Sequence, residues 1–475
     1  MQGATNEHTG GLRVRSNAAA GQKPRSQALR GFWMVSNLIK FLRFSIWEVF
    51  NGDWRYYAWM SFLALVALAG LNAYCVQFVH GLGTTGMTDQ VSWGLYIANF
   101  TFLVGMAAAA VMMVIPVYIY RDDHMHDVVV FGELLAIAAL IMALLFVTVD
   151  LGRPERVWHM FPPPFGAFNW PDSMLSWDVI VLNGYLVLNA YVSGYLLYMR
   201  YLGRKPIRLL FVPFVFISIV WAVSIHSVTA FLYQGLSGRP FWHSSIIAPR
   251  FLASAFTAGP AFLILTLQLV RRFTAYKILD GAVLRLRDIV QVAMAINLFL
   301  FFSEVFKEFY METQHVAHIK YLLFGLHGHH GLVPWIWTAL GMNITAFLLL
   351  VLPATRALKW LNLACALAII GVWIEKGMGF IVPAFIPTPL GEIVEYLPTR
   401  NEVLICAGIW ALGFFIYTAI LKVAIPILTG RMRADDIQYP DETAAAPGAG
   451  IQNPSFGGGF QARPAQWGDT GAGKH

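Results

Sequence analysis

Apolar residues in this chain come in long, nearly unbroken runs rather than in the alternating or one-faced patterns of soluble strands and helices. Runs long enough to cross a hydrocarbon layer of about 30 Å, at about 1.5 Å of helix per residue, recur ten times. They predict helices near 54–80, 92–120, 128–150, 174–202, 207–235, 247–272, 285–312, 331–355, 358–382 and 401–429. Residues 31–53 differ, because Phe32, Trp33, Phe41, Phe44 and Trp47 alternate with Lys40 and Arg43. That is the pattern of an amphipathic segment lying at a membrane surface. Residues 1–30 are rich in Gly, Ala, Ser and Gln and have no signal-peptide core, while 434–475 are rich in Gly, Pro and Ala. Both read as disordered cytoplasmic tails. The expected organisation is an all-α integral membrane protein, with a ten-helix domain over 54–433 between these flanks.

Composition sharpens this reading. Of 475 residues, 57% are apolar and 12% charged, against roughly 25% charged in an average soluble domain, which excludes a soluble enzyme. Cys75, Cys365 and Cys406 stand singly in apolar runs, so neither a disulfide framework nor an iron–sulfur cluster is expected from this chain. The net charge of +7 does not require nucleic acid, since the basic residues flank apolar runs, where they orient helices. One set of alternate loops carries twelve basic residues: Arg121, Arg200, Arg204, Lys205, Arg208, Arg271, Arg272, Lys277, Arg285, Arg287, Arg356 and Lys359. The other carries six: Arg153, Arg156, Arg239, Arg250, Lys320 and Arg400. Twelve against six puts both termini in the cytoplasm.

Ionisable groups within apolar helices cost roughly 2.5–3.5 kcal/mol each at mid-bilayer, so their placement carries information. Asp150 ends the third predicted helix at the outer face, and Asp178 lies one turn into the fourth. His226 falls about 13 Å, and Glu304 and Glu375 about 10–12 Å, from the outer ends of their helices. Asn99 matches. Helices of opposite direction thus place costly groups in one layer near the outer surface, which argues for one shared site. Local pairing is the competing explanation, with Asp150 and Arg153 at i, i+3 and Glu304, Lys307 and Glu308 on one face. That face leaves one carboxylate over, a proton-transfer candidate.

Only His226 of the thirteen histidines is well inside an apolar run, so a bis-histidine haem lacks its second ligand. The loop histidines His315, His318, His327, His329 and His330 have no close carboxylate or thiolate, so they read as a solvated or partner-facing loop, and no metal site is expected. Oxidation of a quinol releases two protons and needs bases beside the ring oxygens; Asp178, Asp150 and His226 suit that task. Tyr96, Trp177 and Trp242 supply apolar walls. Buried Asp, Glu and His also line proton-coupled secondary transporters, the alternative from another functional class.

The runs WGLYIANFTFLVGMAAA (93–109), DLGRP (150–154), SWD (176–178) and SIHSVTAFLYQGLSGRPFWHSSIIAPRFLASAFTAGPA (224–261) resemble the NrfD-like polysulfide-reductase membrane-subunit family. SEVFKEFY (303–310), GVWIEK (371–376) and YLPTRNE (396–402) are similar to it too. Within the family, FGLHGHHGLVPWIW (324–337) and the histidine segment around 226 are most similar to the DsrP branch, the quinol-interacting subunits of DsrMKJOP sulfur-metabolism complexes. The quinol-oxidising subunits of alternative complex III come next; their pattern has His where Asp150 stands here. The resemblance implies two four-helix bundles, predicted helices 2–5 and 6–9, with helices 1 and 10 peripheral. It implies a subunit of a prokaryotic inner-membrane complex that holds menaquinone or ubiquinone as bound substrate, with no haem or iron–sulfur cluster of its own. Its partners would be an extracytoplasmic, ferredoxin-like iron–sulfur subunit and further membrane and cytochrome subunits. The implied quinone site comprises Asp150, Arg153, Trp177, Asp178, His226, Trp242 and His243, with Tyr96 and Asn99; Glu304, Glu308, Glu375 and Lys376 are proton-route candidates.

Overall fold

A computed structural model describes residues 27–118, 125, 128–312, 316–355 and 357–434. The predicted disordered tails, apart from the few residues at their inner edges, lie outside these, as do Arg121, Arg356 and His315. The described residues are helical, with a single isolated β-bridge between Leu326 and His329. Among them, nine helices are long and apolar enough to cross a membrane.

Helix α1 (Gln27–Val49) is followed by α2 (Trp54–His80), which is capped by Asp53, whose side chain accepts the Tyr56 N–H at 3.0 Å. On α2 only Met60, Leu63, Gly70, Ala73 and Gln77 are buried, a single stripe, and most of its other apolar residues are exposed, as suits a helix with lipid on most sides. The second predicted span is two helices, α3 (Leu95–Ala107) and α4 (Ala109–Tyr118), divided at Ala108. Every residue of α3 is buried, making it the central helix. Then follow α5 (Val129–Asp150), α6 (Met174–Tyr201), α7 (Arg208–Gln234), α8 (Ile247–Phe273) and α9 (Asp280–Met311). The short α10 (Val316–Phe324) precedes α11 (Val333–Val351) and α12 (Leu358–Lys376). Helix α12 breaks at Gly377 and continues as the single turn α13 (Met378–Ile381). The last helix, α14 (Arg400–Leu428), opens with a capping box in which Thr399 and Glu402 satisfy each other's backbone N–H groups.

Two four-helix bundles result. In the first, α3 and α4 pack on α5, α5 on α6, α6 on α7, and α7 closes back on α4 and α3; in the second, α8, α9, α11 and α12 close in that order. The bundles join where α3 meets α8 and α12; α14 lies against α5 and α2 pairs with α14. Helix α1 packs on α14 and α6, with Phe41 against Tyr198 and a Glu48–Lys422 pair at 3.6 Å. We call upper the end that carries loops 81–94, 151–173, 235–246 and 377–399.

The α2–α14 pair depends on backbone approach. A Cβ on Gly70 would lie 2.6 Å from the Gly408 Cα, a small-residue contact of the kind that joins helices in lipid, where burial alone provides no attraction between them. Gly70→Leu is expected to lower the thermal midpoint of the detergent-solubilised protein, with an overpacking cost of about 1–3 kcal/mol. Gly341→Ala, on α11 where nothing lies within 4 Å, serves as the control, and equal effects of the two would remove this role from Gly70.

Candidate functional site

At the upper end of the first bundle, α6 presents Asp178 one turn below its start, only 2% exposed. Its Oδ1 accepts a hydrogen bond of 2.7 Å from Thr229 on α7, whose hydroxyl also reaches the Ile225 carbonyl at 2.7 Å. His226, 0% exposed, lies one turn below Thr229. Its Nδ1 is 3.0 Å from the Ala222 carbonyl, which can only accept, so Nδ1 carries the proton and the neutral ring offers Nε2 as a bare acceptor. That Nε2 has no hydrogen-bond partner among the described residues, and neither has Asp150 Oδ1 at the end of α5. Tyr233, one turn above Thr229, hydrogen-bonds Thr101 of α3 and feels the charges of both Asp178 and Asp150. His226, Thr229 and Tyr233 thus share one face of α7, with Asp178 bonded to Thr229 and Asp150 within electrostatic range of Tyr233, as one buried cluster.

Aromatic rings close it from the second bundle's side. Trp242, fully buried, donates to the Phe380 carbonyl at 3.1 Å and lies 5.2 Å from Tyr233 between ring centroids, with Phe251 and Phe380 also against Tyr233. On the other side, Tyr96 donates to Gln77 at 2.6 Å and Gln77 to the Val149 carbonyl at 2.7 Å. Gln77 also lines a cleft of about 540 Å³, with Tyr74, Phe78, His80, Leu151 and Arg153, between α2 and the chain leaving α5.

Other residues of the expected set lie elsewhere. Arg153 is 75% exposed and pairs with Glu155 at 3.4 Å, so the anticipated Asp150–Arg153 pairing is replaced by a surface pair. Trp177 packs on Trp170, 5.4 Å between centroids, and donates to the Pro171 carbonyl. His243 is exposed beside the Leu236 carbonyl at 3.2 Å. Asn99 acts as a bolt between helices, its Oδ1 accepting the indole N–H groups of Trp373 at 3.0 Å and Trp410 at 2.9 Å.

The second bundle holds a separate network around Arg250, which the basic-residue count assigned to a loop and which is in fact buried in the first turn of α8. Its guanidinium hydrogen-bonds Glu304 of α9 and, at 3.0 Å, Glu375 of α12. Glu375 also accepts from Asn343 at 2.7 Å and Asn297 at 3.2 Å. Glu308 pairs with Lys307 at 3.0 Å, so the carboxylate left over by that pair is Glu304, and Arg250 occupies it. Lys376, also buried, donates to the Phe251 carbonyl at 3.3 Å with its ammonium 4.2 Å above the Phe251 ring. A Cβ on Gly105 of α3 would lie 3.1 Å from that ammonium, which places the charge on the boundary between bundles, within electrostatic range of His226. Besides Arg250, the residues that pattern reasoning missed are Thr229, Tyr233 and Gln77, each an ordinary polar residue in an apolar run with no motif of its own.

Of the loop histidines, His318 is buried against the Pro383 and Ile386 carbonyls at 2.9 and 3.0 Å, and His330 lies 3.0 Å from the Phe324 carbonyl. His329 pairs with Glu395 at 3.4 Å, a carboxylate that the loop reading did not provide. Among the described residues no group of three His, Cys, Asp or Glu side chains is arranged to hold a metal ion.

The family model for polysulphide reductase, NrfD, matches residues 83–384, well over half of the chain. The chain belongs to that family. It is a multi-pass integral membrane protein. A Halobacterium salinarum protein named as a membrane component of dimethyl sulfoxide reductase is 26% identical over 77% of this chain and 90% of its own length. The Hdr-like menaquinol oxidoreductase integral membrane subunit of Archaeoglobus fulgidus is 25% identical over 78% and 93%. The menaquinone reductase integral membrane subunit of Nitratidesulfovibrio vulgaris is 24% identical over 73% and 86%.

Removing Arg250 would leave two buried carboxylates uncompensated, a loss of about 3–5 kcal/mol. Arg250→Met is expected to cut the yield of folded subunit sharply, and adding Glu304→Gln and Glu375→Gln to recover most of it. No recovery would show that the guanidinium works by shape rather than by charge.

At the loop, burial works to raise the Glu395 carboxyl, but the Gly331 N–H and the His329 and Tyr321 side chains stabilise its ionised form and hold it below the usual range. A depressed folded value makes its stabilising contribution complete above the unfolded pKa of about 4.3 and progressively lost below it. The thermal-midpoint gap between wild type and Glu395→Gln should therefore persist between about pH 7 and 5 and narrow below about pH 4.3; a gap that does not narrow at low pH would contradict it.

Proposed function

We propose that this chain is the quinol-interacting membrane subunit of an electron-transfer complex, binding menaquinol or ubiquinol at the upper mouth of the first bundle. The observation that carries the reading is the convergence there of Asp178, held by Thr229, with two unpartnered proton acceptors, His226 Nε2 and Asp150 Oδ1. The donor set suits the substrate. A quinol carries two hydroxyl hydrogens on opposite edges of a flat apolar ring, and such a ligand needs separated acceptors and aromatic walls. The relatives support it too, since two of them are named as menaquinol oxidoreductase and menaquinone reductase membrane subunits. The charge asymmetry of the loops makes the upper end the outer face of the inner membrane, with both termini cytoplasmic.

Oxidation breaks two O–H bonds of the quinol, leaves the quinone, and yields two protons and two electrons. Asp178 and His226 Nε2 are the proton acceptors, with Asp150 as a further one, and Thr229 orients the Asp178 carboxylate toward the ring. The electrons pass to a ferredoxin-like iron–sulfur subunit docked on the upper face, alongside other membrane and cytochrome subunits. Run in the other direction, the same groups supply protons to a quinone. Trp242 and Tyr233 form the wall between ring and second bundle, while Glu304 and Glu375 serve to position that bundle. A place in sulfur metabolism rests on the likeness of residues 324–337 to the DsrP branch.

In the purified complex, Asp178→Asn is expected to slow quinol-dependent electron transfer by about 10²–10⁴-fold, the range for loss of a general base, with assembly intact. Thr229→Val should cost about 10–100-fold, the worth of a hydrogen bond to a charged group. Normal turnover in Asp178→Asn would remove it from the mechanism, and a complex that copurifies with no iron–sulfur subunit would favour a proton-coupled transporter instead.

A further inference from the structure

The cleft of about 540 Å³ beside Gln77 lies outside the buried cluster and takes one wall from a helix that the cluster does not use. That wall is the upper end of α2, which precedes the residues 83–384 matched by the family model; the other is residues 151–155, where the chain leaves α5. Its size falls in the range of about 300–1,000 Å³ for sites that take a small organic ligand. Phe78 and Val79 line it and are 57% and 75% exposed on a spanning helix, so it opens toward lipid. Arg153 and Glu155, both exposed, stand at its water side. Gln77 lies three residues, about 4.5 Å, from the upper end of α2, which sets the opening at the edge of the hydrocarbon layer.

Gln77 closes the inner end. The residue is buried, its Nε2 donates to the Val149 carbonyl at 2.7 Å, and its Oε1 accepts from the Tyr96 hydroxyl at 2.6 Å. A primary amide carries two N–H groups and an oxygen with two lone pairs, so one of each stays unused among the described residues. Asp150 stands between Val149, to which the amide is bonded, and Leu151, which lines the cleft. Tyr96 is within electrostatic range of it. The buried Asp150 Oδ1 has no partner among the described residues, so an open proton acceptor lies one residue from the floor of the cleft. A glutamine that only tied α2 to α3 and α5 would need no ligand-sized opening ending on it.

We infer that the cleft is a side port through which a quinol leaves the lipid toward Asp150, and that the Gln77 amide receives its ring there. The inference rests on the quinol reading of the buried cluster and adds to it a path and a residue on α2. An amide suits a port better than a carboxylate does. A quinol presents O–H donors and a quinone presents carbonyl acceptors; the unused lone pair of Gln77 meets the first and the unused N–H the second, with no change of charge. The same residue therefore serves the ring on its way in and on its way out. An ionised Asp150 only accepts, which selects the reduced form. The isoprenoid tail stays in lipid along the face of α2 where Leu71 and Phe78 are exposed. No covalent bond is made or broken at this station.

The test uses the intact complex in lipid nanodiscs, with an isoprenoid menaquinol as substrate and a photoreactive azido-naphthoquinone as label. Gly152 lines the cleft, and a Cβ there would meet only Leu82, at 3.7 Å, so Gly152→Phe obstructs the opening without a backbone clash. It should lower kcat/KM for the menaquinol about tenfold or more, with a much smaller change in kcat. Gln77→Leu should raise KM about three- to tenfold, the worth of one hydrogen bond. Gly83→Phe, outside the lining and with nothing within 4 Å of its Cβ, should match wild type. The label should attach to residues 74–82 or 151–155 in wild type and be lost from them in Gly152→Phe. Unaltered kcat/KM in Gly152→Phe, or label confined to other segments of a complex that turns over normally, would overturn the port and leave the quinol reading standing. A photoreactive phospholipid that labels the cleft and is not displaced by menaquinol would also overturn it. Should Gly152→Phe fail to assemble, an unaltered KM in Gln77→Leu would do the same. Wild type that neither oxidises the menaquinol nor takes the label would overturn the underlying reading instead.

Discussion

The guanidinium of Arg250 holds the second bundle together and, through it, the boundary on which the first bundle's mouth is built. Three helices meet on it, α8 from which it projects, α9 through Glu304 and α12 through Glu375. A planar fork with several donors can satisfy two carboxylates at once, which a lysine ammonium does with less geometric control. Fixing α12 fixes Lys376 on the next residue, and Lys376 places its charge against Phe251 and Gly105, at the seam with α3. The same stretch of α8 supplies Phe251 to the aromatic wall beside Tyr233. An ion cluster of this kind is weak evidence for stability in itself, because desolvation offsets much of its attraction; what it confers is a fixed geometry for the surface that the first bundle packs upon.

Much of this architecture was legible in the pattern of apolar runs, because lipid requires each crossing segment to satisfy its own backbone, and only helices of about twenty residues do so. The break between α3 and α4 was not. Residues 105–110, Gly-Met-Ala-Ala-Ala-Ala, contain no proline and read as good helix, so no local signal marks the interruption at Ala108. The layer of titratable groups was legible from depth arithmetic, since helices of opposite direction must place their upper residues together. Who pairs with whom was not. Asp150 and Arg153 have helical spacing, but the helix ends at Asp150, and Arg153 turns out to solvent. Arg250 counted with the loop charges although the predicted helix 247–272 contains it, because a charge in a first helical turn is indistinguishable in sequence from one that faces water, and the two carboxylates that bury it lie on other helices.

A division of labour between the bundles follows from the chemistry of satisfaction. Groups with all their hydrogen bonds made are held in one state, as Asn99 is by two indoles and Glu402 by the Gly86 and Thr399 N–H groups and the Tyr396 hydroxyl. Such groups fix structure and resist any change of charge. Groups with an open lone pair can accept a proton without first breaking a bond. His226 shows both features in one ring, with Nδ1 committed to Ala222 and Nε2 open, so the imidazole has one orientation while its reactive nitrogen stays available.

That arrangement has a cost. Each buried polar atom without a partner forgoes about 1–3 kcal/mol, and several of them in a four-helix bundle would weaken it unless another part of the molecule held its shape. The first bundle is braced on both sides, by α14, backed by α2, against α5 and by the Arg250-centred bundle against α3. Its central helix, buried along its whole length, touches both braces. The Arg250-centred ion network and the outer helix pair thus carry the structural burden, and the proton-active groups between them are left free to change state.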